Sequence, residues 1–188
     1  MRLVLASASP RRAELLRAAG FAFDTLVVDI DETVRPRESA SAYVRRLAME
    51  KSAAGLLRVH GEPVVVLGAD TAVVVDGEIL GKPQDEDDAA RMLRRLSGRG
   101  HEVMTGVSLR SGDIEVGRVE ATTVHVAALS ESQVSWYVAR GEGRDKAGAY
   151  AIQGLASRFI PRIEGSYSNV VGLPVACVVD LLQRLGSG

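Results

Sequence analysis

Apolar and polar positions alternate along this chain in a pattern that predicts strands and helices in turn. Residues 2–6 form a short apolar run that predicts a first strand. Ser9-Pro10 predicts the start of a helix, since serine caps helices and proline suits their first position, and Gly20 predicts its end. A second strand is predicted over residues 23–28, and a charged loop follows it.

The rest of the pattern adds helices and two hairpins. Residues 39–58 predict a long amphipathic helix, and residues 63–80 predict a β-hairpin around the turn Asp76-Gly77. Further helices are predicted over residues 85–96, over 131–140 and up to Leu185, and further strands over 102–110 and 114–128. Because hairpins are interleaved with helices, we predict an α/β protein with a mixed sheet.

Bulk composition narrows the class of protein. A chain of 188 residues suits one hydrophobic core, so we predict a single domain over residues 1–188. A formal net charge of −1 provides no basic field for nucleic acid or for an anionic membrane. No run approaches the ~20 apolar residues of a membrane span, and residues 1–12 do not have the order of a signal peptide. We therefore expect a cytoplasmic protein.

The segment SASPRR, residues 7–12, combines a turn, a helix start, two hydroxyl groups and two guanidinium groups. Helix N-termini attract anions, and an arginine fork matches phosphate oxygens. The candidates for a phosphate site are Ser7, Ser9, Arg11 and Arg12. An ordinary helix cap with two solvated arginines explains the same residues, and the two interpretations are evenly balanced.

Asp70 lies in the most hydrophobic stretch of the chain, within GADT at residues 68–71. A buried carboxylate is costly unless it is paired, bound to a metal or placed at a cleft. We favour a functional carboxylate, because perturbed acids are most common at sites. The alternative is a bulge at Gly68 that turns Asp70 to solvent.

Lys82 is a possible partner for this acid. Counting outwards from the turn at Asp76-Gly77 places Thr71 opposite Lys82, unless a bulge at Gly81 shifts the register. Taken by itself, Lys82 is better explained as a solvated lysine at a strand end.

Lys51 falls on the apolar seam of the long helix, between Leu47 and Ala54. Snorkelling to the surface is the commoner behaviour of such a lysine. A lysine directed inward would instead pair with a buried acid or a phosphate.

Glu32 and Asp70 are the candidate metal ligands. Mg²⁺ binds a couple of carboxylates and otherwise keeps water and substrate phosphates as ligands. A solvated acidic loop accounts for Glu32 equally well. His60, His101 and His125 have no spacing that suggests a metal site.

The glycine-rich segment DKAGAYAIQG, residues 145–154, contains Gln153 near its end. Its side-chain amide offers both a donor and an acceptor to the edge of a base. A structural loop that leads into a helix is the alternative interpretation.

Together these segments resemble the Maf family of nucleotide pyrophosphatases. The resemblance spans nearly the whole chain, in the family's order: SASPRR, the DET loop, Lys51, GADT, GKP, MTGV, DKAGAYAIQG and GSYSNVVGLP. It implies an elongated α/β domain with a mixed sheet flanked by helices, similar to inosine-triphosphatase folds, with a nucleotide cleft between two lobes. It also implies a homodimer and hydrolysis of a nucleoside triphosphate to the monophosphate and pyrophosphate.

The resemblance assigns roles to individual residues. It implies Asp70 as the catalytic acid or base, a divalent cation (Mg²⁺ or Mn²⁺), and four residues around the phosphates and metal: Arg12, Glu32, Lys51 and Lys82. Arg11, Thr71 and Gln153 match the members that act on dTTP and UTP, whereas members that act on 7-methyl-GTP have Trp, Gln and Glu there.

Two departures from the family pattern occur near the glycine-rich segment. Gly143 stands where the family usually has proline, and Ala151 stands where it often has glycine. Neither position is one of the implied catalytic residues.

Two alternatives to this function remain open. The first is a pyrophosphatase for 7-methyl-GTP or for deaminated purine nucleotides. The second is a regulator of septum formation that binds a nucleotide or a division partner without turnover, since family members are linked to that phenotype. A pure binding role does not explain Asp70, because a triphosphate site needs cations rather than a buried acid.

Overall fold

The computed structural model describes residues 2–60 and 63–186. Its strands are β1 (Arg2–Ala6), β2 (Asp24–Thr25), β3 (Val64–Val75), β4 (Glu78–Leu80), β5 (Gly100–Ser111), β6 (Ile114–His125) and β7 (Arg162–Glu164). Its helices are α1 (Pro10–Ala18), α2 (Ala40–Leu56), α3 (Glu86–Leu96), α4 (Glu131–Val138), α5 (Tyr167–Val171) and α6 (Val175–Gly186), with 3-10 turns at Ala147–Ala149 and Leu155–Phe159.

The sheet is mixed, which confirms the predicted fold class. Its strand order is β2-β1-β3-β5-β6-β7, and β4 pairs with β3. Strand β1 runs parallel to both β2 and β3, whereas the β3–β4 and β6–β7 pairs are antiparallel. Parallel pairs need crossover connections, and α1 and α2 supply them around β1.

The hairpin turn between β3 and β4 is confirmed. Asp76 and Gly77 both have positive φ, at 52° and 77°, as a two-residue turn of the primed type requires. Val75 pairs with Glu78 across the turn, as predicted.

The counted register holds as far as the pair Val73–Leu80, but the predicted pair Thr71–Lys82 lies beyond the end of the ladder. Strand β4 ends at Leu80, so the ladder does not extend to Lys82. The carbonyl oxygen of Gly81 instead accepts a hydrogen bond from the amide of Gly148 at 3.0 Å. Lys82, one residue after Gly81, therefore lies outside the ladder.

The predicted strand over residues 23–28 is much shorter in the structure. Only Asp24–Thr25 forms β2, and it pairs with Val4 and Leu5 of β1. Strand β1 ends at Ala6, so residues further along lack a partner strand there.

Serine and aspartate caps explain where several helices begin. Ser39 accepts from the amide of Ala42, and Asp85 accepts from the amide of Asp88. Ser130 and Gln133 form a complete capping box at α4. Across residues 2–60 and 63–186, no helix is long and apolar enough to cross a membrane.

The described residues group into two compact units. The first covers residues 2–60, 63–71, 105–120 and 172–186, and the second covers residues 72–104 and 121–171. Leu5, Leu67 and Val107 lie in the core of the first unit, and Leu96 and Tyr137 lie in that of the second. The single domain over residues 1–188 stays a prediction.

Candidate active site

Helix α2 lies against β3 at a distance that only glycine permits. A Cβ atom at Gly68 would lie 2.2 Å from the carbonyl oxygen of Ala48 and 2.6 Å from the amide nitrogen of Ser52. Cβ atoms essentially never come within 3.0 Å of another heavy atom, so the glycine of GADT is required for this contact. The close approach brings Lys51 of the helix to Asp70 of the strand.

Asp70 and Lys51 form a buried ion pair in the first unit. Their residues are 7% and 8% exposed, and the Lys51 Nζ atom lies 2.7 Å from Asp70 Oδ1. Lys51 therefore points inward and does not snorkel to the surface. The alternative in which a bulge at Gly68 turns Asp70 to solvent is wrong. A buried carboxylate that is paired with a buried ammonium is the arrangement expected of a functional acid.

Glu32 meets the same ammonium group from the surface side. Its Oε1 atom lies 2.6 Å from Lys51 Nζ, and its side chain is 55% exposed. Lys51 thus bridges a buried carboxylate, Asp70, and an exposed one. The acidic loop and the GADT strand, which are far apart in sequence, converge at this point.

Tyr43 of α2 holds the backbone of the acidic loop. Its hydroxyl group donates to the carbonyl oxygen of Glu32 at 3.0 Å. Burial, followed by the negative charges of Asp70 and Glu32, raises the pKa of Tyr43 to about 12. The phenol therefore stays protonated and remains a donor at neutral pH. The sequence gives no sign of this role, because helical periodicity places Tyr43 where a core residue would lie.

Arg46 provides a second anchor for this loop, one turn further along α2. Its guanidinium donates to the carbonyl oxygen of Thr33 at 3.1 Å and to both carboxylate oxygens of Glu38 at 2.6 and 2.8 Å. These bonds from Arg46 lower the pKa of Glu38 to about 2. The bidentate pair fixes the end of the loop.

The SASPRR segment divides into buried and partly exposed residues. Ser7 and Arg12 are each 8% exposed, whereas Ser9 and Arg11 are partly accessible. Ser9 stands at the N-cap position of α1, but its side chain makes no capping hydrogen bond. Its backbone amide donates to the Ser7 hydroxyl at 3.1 Å. The segment therefore presents Ser9 and Arg11 outward at the N-terminus of a helix.

Arg12 holds several chain segments of the first unit together. Its guanidinium donates to the carbonyl oxygens of Gly172 and Ala69, each at 2.8 Å, and to the hydroxyls of Thr71 and Ser7 at 3.0 and 3.3 Å. Burial lowers the pKa of Arg12, while the neighbouring carboxylates, Asp70 first, oppose that effect. The arginine is therefore a structural centre of the site as well as a positive charge.

Thr71 has its hydroxyl group fully engaged within the first unit. It accepts from Arg12, and it lies 2.9 Å from the hydroxyl of Thr105 and 3.2 Å from the carbonyl oxygen of Gly172. A hydroxyl has one hydrogen to donate and two lone pairs. The side chain of Thr71 thus shapes its surroundings through protein contacts.

Lys82 and Gln153 belong to the second unit, and both are exposed. Lys82 follows the end of β4, and Gln153 lies in a turn that precedes the 3-10 turn at Leu155–Phe159. Nearby, a Cβ atom at Gly143 would lie 2.0 Å from the carbonyl oxygen of Ala149. The proline that the family usually has at position 143 would therefore require a backbone shift in this chain.

The two carboxylates beside Lys51 are ligands of the kind that a divalent cation with few protein ligands uses. No cluster of three or more histidine, cysteine, aspartate or glutamate residues capable of holding a metal occurs within residues 2–60 and 63–186. Asp70 and Glu32 nevertheless present two carboxylates to one cationic atom. Mg²⁺ and Mn²⁺ accept such a pair and complete their shell with water and phosphate oxygens.

The chain is similar to known proteins over nearly its whole length. The model of the family described as "Maf-like protein" matches residues 2–185. A protein of Anaeromyxobacter sp. (strain Fw109-5) named "dTTP/UTP pyrophosphatase" is 53% identical over 190 residues, covering 98% of this chain and 90% of the relative. A protein of Symbiobacterium thermophilum with the same name is 52% identical over 184 residues, covering 98% and 94%.

Among solved structures, the chain is similar to the Ham1 protein of Staphylococcus aureus. The TM-score is 0.52 at 13% identity, and the match covers 100% of this chain and 99% of the other. At that identity the likeness concerns the fold alone.

Proposed function

This chain belongs to the family of Maf-like proteins, and from that premise we propose that it is a nucleoside-triphosphate pyrophosphatase. The proposed reaction converts dTTP or UTP, and modified pyrimidine nucleotides, to the monophosphate and pyrophosphate. The names of relatives that are more than half identical to it support this choice of substrate.

The observation that carries the proposal is the buried Asp70–Lys51 pair with Glu32 at its edge. A protein that only binds triphosphate needs positive charge, and a carboxylate inside that site repels the ligand. A carboxylate is useful where a water molecule must lose a proton. The arrangement therefore favours hydrolysis over binding alone.

In the proposed mechanism, Asp70 acts as the general base. A water molecule attacks the α-phosphorus of the triphosphate, and its proton passes to the Asp70 carboxylate. The new oxygen–phosphorus bond replaces the bridging one, whose electron pair leaves with pyrophosphate. Lys51 holds Asp70 in place and lies where negative charge develops.

The remaining cations and donors bind the phosphates. We assign this role to Ser7, Ser9 and the N-terminus of α1, where backbone N–H groups favour anions. Most hydrogen-bond donors of Arg12 are used within the protein. We therefore assign to Arg12 a contribution of positive charge to this segment. Lys82, exposed in the second unit, is assigned to the same phosphate charge.

Asp70 and Glu32 would hold a Mg²⁺ or Mn²⁺ ion. When bound, such an ion neutralises phosphate charge and polarises the bond that breaks. Lys51 competes for the same two carboxylates. Its ammonium stabilises the carboxylate pair whenever the cation is absent.

We assign base selection to Arg11, Thr71 and Gln153. Arg11 and Gln153 are accessible for contact with a ligand. Thr71 acts through shape, because its hydroxyl is already bonded to Arg12 and Thr105.

We further propose a cytoplasmic homodimer with a house-cleaning role that can also arrest septum formation. These features rest on the resemblance to the family. Light scattering of the purified protein tests the dimer directly, and a monomer at micromolar concentration would contradict it.

A substrate panel tests the proposed reaction. Pyrophosphate release would be measured with Mg²⁺ or Mn²⁺ on dTTP, UTP, CTP, GTP, dITP and 7-methyl-GTP. We expect dTTP and UTP to be the best substrates. Release only from 7-methyl-GTP or dITP would replace the assigned base class. Nucleotide binding without any release would instead identify a regulator.

A further inference from the structure

The turn that carries Gln153 is attached to the protein at both of its ends. At one end, the backbone amide of Ala151 donates to the hydroxyl oxygen of Tyr137 at 3.2 Å. At the other end, the amides of Leu155 and Ala156 donate to the carboxylate of Glu142 at 2.8 and 3.3 Å.

The two attachments are joined to each other. The Tyr137 hydroxyl donates to Glu142 Oε2 at 2.7 Å. Tyr137 is 2% exposed, and burial together with this bond raises its pKa, so the phenol remains a donor. A continuous series of hydrogen bonds thus runs from Ala151 through Tyr137 and Glu142 to Leu155.

The carboxylate of Glu142 occupies space that a side chain at residue 154 would need. A Cβ atom at Gly154 would lie 1.8 Å from Glu142 Oε1. No lysine or arginine among residues 2–60 and 63–186 forms a salt bridge with Glu142. The half-buried carboxylate of Glu142 accepts hydrogen bonds from one phenol and two backbone amides, so a single side chain fixes the backbone on both sides of residue 154.

Gln153 lies between the two attachments and is not itself restrained. Its side chain is exposed and makes no hydrogen bond with the described part of the chain. Its amide is therefore available to a ligand, and the backbone of the turn sets the point from which the side chain reaches.

We propose that Tyr137 and Glu142 are positioning residues that set base selectivity by fixing the turn that carries Gln153. The inference rests on the proposed function, in which Gln153 contacts the base of a pyrimidine nucleotide. An amide discriminates between bases only if its donor and acceptor are held in register with the base edge. Loosening the turn should therefore reduce discrimination more than it reduces turnover.

The test is a mutant cycle on selectivity. The ratio of kcat/KM for dTTP to that for CTP would be measured for the wild type, Glu142→Gln, Tyr137→Phe, Gln153→Ala and the double variant Glu142→Gln/Gln153→Ala. Glu131→Gln is the matched control, because it removes an exposed carboxylate of the same unit that pairs with Arg94. Thermal melting would verify that each variant is folded.

We expect Glu142→Gln and Tyr137→Phe each to lower the ratio by about tenfold, the scale of one lost hydrogen bond. In both variants, kcat for dTTP should stay within about threefold of wild type, since the catalytic carboxylates are unchanged. In the Gln153→Ala background, Glu142→Gln should cause no further loss of selectivity.

Three results would count against the inference in distinguishable ways. An unchanged ratio in folded variants of an active, selective wild type would overturn the positioning role alone. Equal losses for every nucleotide, additive with Gln153→Ala, would identify a merely structural pair. A wild type that releases no pyrophosphate from any nucleotide would overturn the proposed function, and this inference with it.

Discussion

The ammonium nitrogen of Lys51 lies 2.7 Å from the carboxylate of Asp70, inside a unit where both residues are almost fully buried. Removing Lys51 leaves the buried Asp70 carboxylate without its ammonium partner, and removing the Asp70 charge leaves Lys51 with the exposed Glu32 as its ion-pair partner. The pair therefore couples the stability of the first unit to the chemistry of the site.

Replacing Lys51 with Met should destabilise the protein by about 3 kcal/mol, the usual result of breaking a buried ion pair. Urea denaturation at neutral pH measures this change. The double variant Lys51→Met/Asp70→Asn should lose less stability than the sum of the two single variants, because it leaves no unpaired charge. Lys82→Met, at an exposed position, serves as the control and should change stability by less than about 0.5 kcal/mol. Strict additivity of the two buried substitutions would contradict the pairing.

Glu32→Gln, unlike Lys51→Met, should leave the stability of the protein nearly unchanged. Its side chain is 55% exposed, so the free energy of unfolding should change by less than about 0.5 kcal/mol. The rate of pyrophosphate release should nevertheless fall at least about tenfold, the scale expected for the loss of one charged metal ligand. A higher Mg²⁺ concentration should also be needed for the half-maximal rate. Asp29→Asn, in the same acidic loop, is the matched control. Unchanged Mg²⁺ dependence in Glu32→Gln would remove Glu32 from the metal site.

The two neighbouring arginines should respond differently to lysine substitution. Arg12→Lys should cost about 2 to 4 kcal/mol of stability, since a lysine cannot replace the fork that binds Gly172, Ala69 and Thr71. Arg11→Lys should leave stability nearly unchanged and alter only the kinetics with nucleotide. Thermal melting of both variants makes the comparison. Equal melting temperatures would show that the Arg12 contacts contribute little.

His101 should make stability depend on pH. It lies 2.7 Å from the hydroxyl of Tyr150, and burial, with a smaller effect of His125, lowers its pKa to about 4. The unfolded chain therefore binds a proton near pH 6.5 that the folded chain does not bind until about pH 4. Stability should be complete above pH 6.5 and should fall as the pH decreases towards 4, by about 3 kcal/mol at most.

The measurement is urea denaturation of wild type and His101→Gln between pH 7 and pH 4.5. Subtracting the two profiles isolates the histidine, because other groups with lowered pKa values, such as Glu38 and Asp76, are unchanged in the variant. Parallel profiles across this range would show that His101 does not titrate as described.

Much of the fold could be predicted because the signals are local. The capped start of α3 at Asp85 and the turn at Asp76-Gly77 follow from short-range hydrogen bonds and backbone preferences. The length of β2 could not, since it depends on where its partner β1 ends, at Ala6. The length of β4 could not be predicted either: the strand ends at Leu80, before the counted register reaches Lys82.

The candidate site likewise combines features that local sequence predicts with features that depend on long-range contacts. Asp70 was identified by its position in an apolar run, but the direction of Lys51 depends on how closely α2 approaches Gly68. The contacts of Tyr43 and Glu142 could not be predicted from the sequence. Tyr43 donates to a backbone carbonyl 11 residues away, and Glu142 accepts from a backbone amide 13 residues away. Helical periodicity places a residue on a face and does not identify the atom that it meets.

We propose that Asp70 performs the chemistry at a site that binds nucleotide without it. Wild type and Asp70→Asn would be compared for pyrophosphate release from dTTP and, separately, for dTTP binding by calorimetry. We expect release to fall by at least about 10³-fold, the scale of losing a general base, while the dissociation constant changes by less than about fivefold. Release at the wild-type rate by folded Asp70→Asn would contradict this proposal.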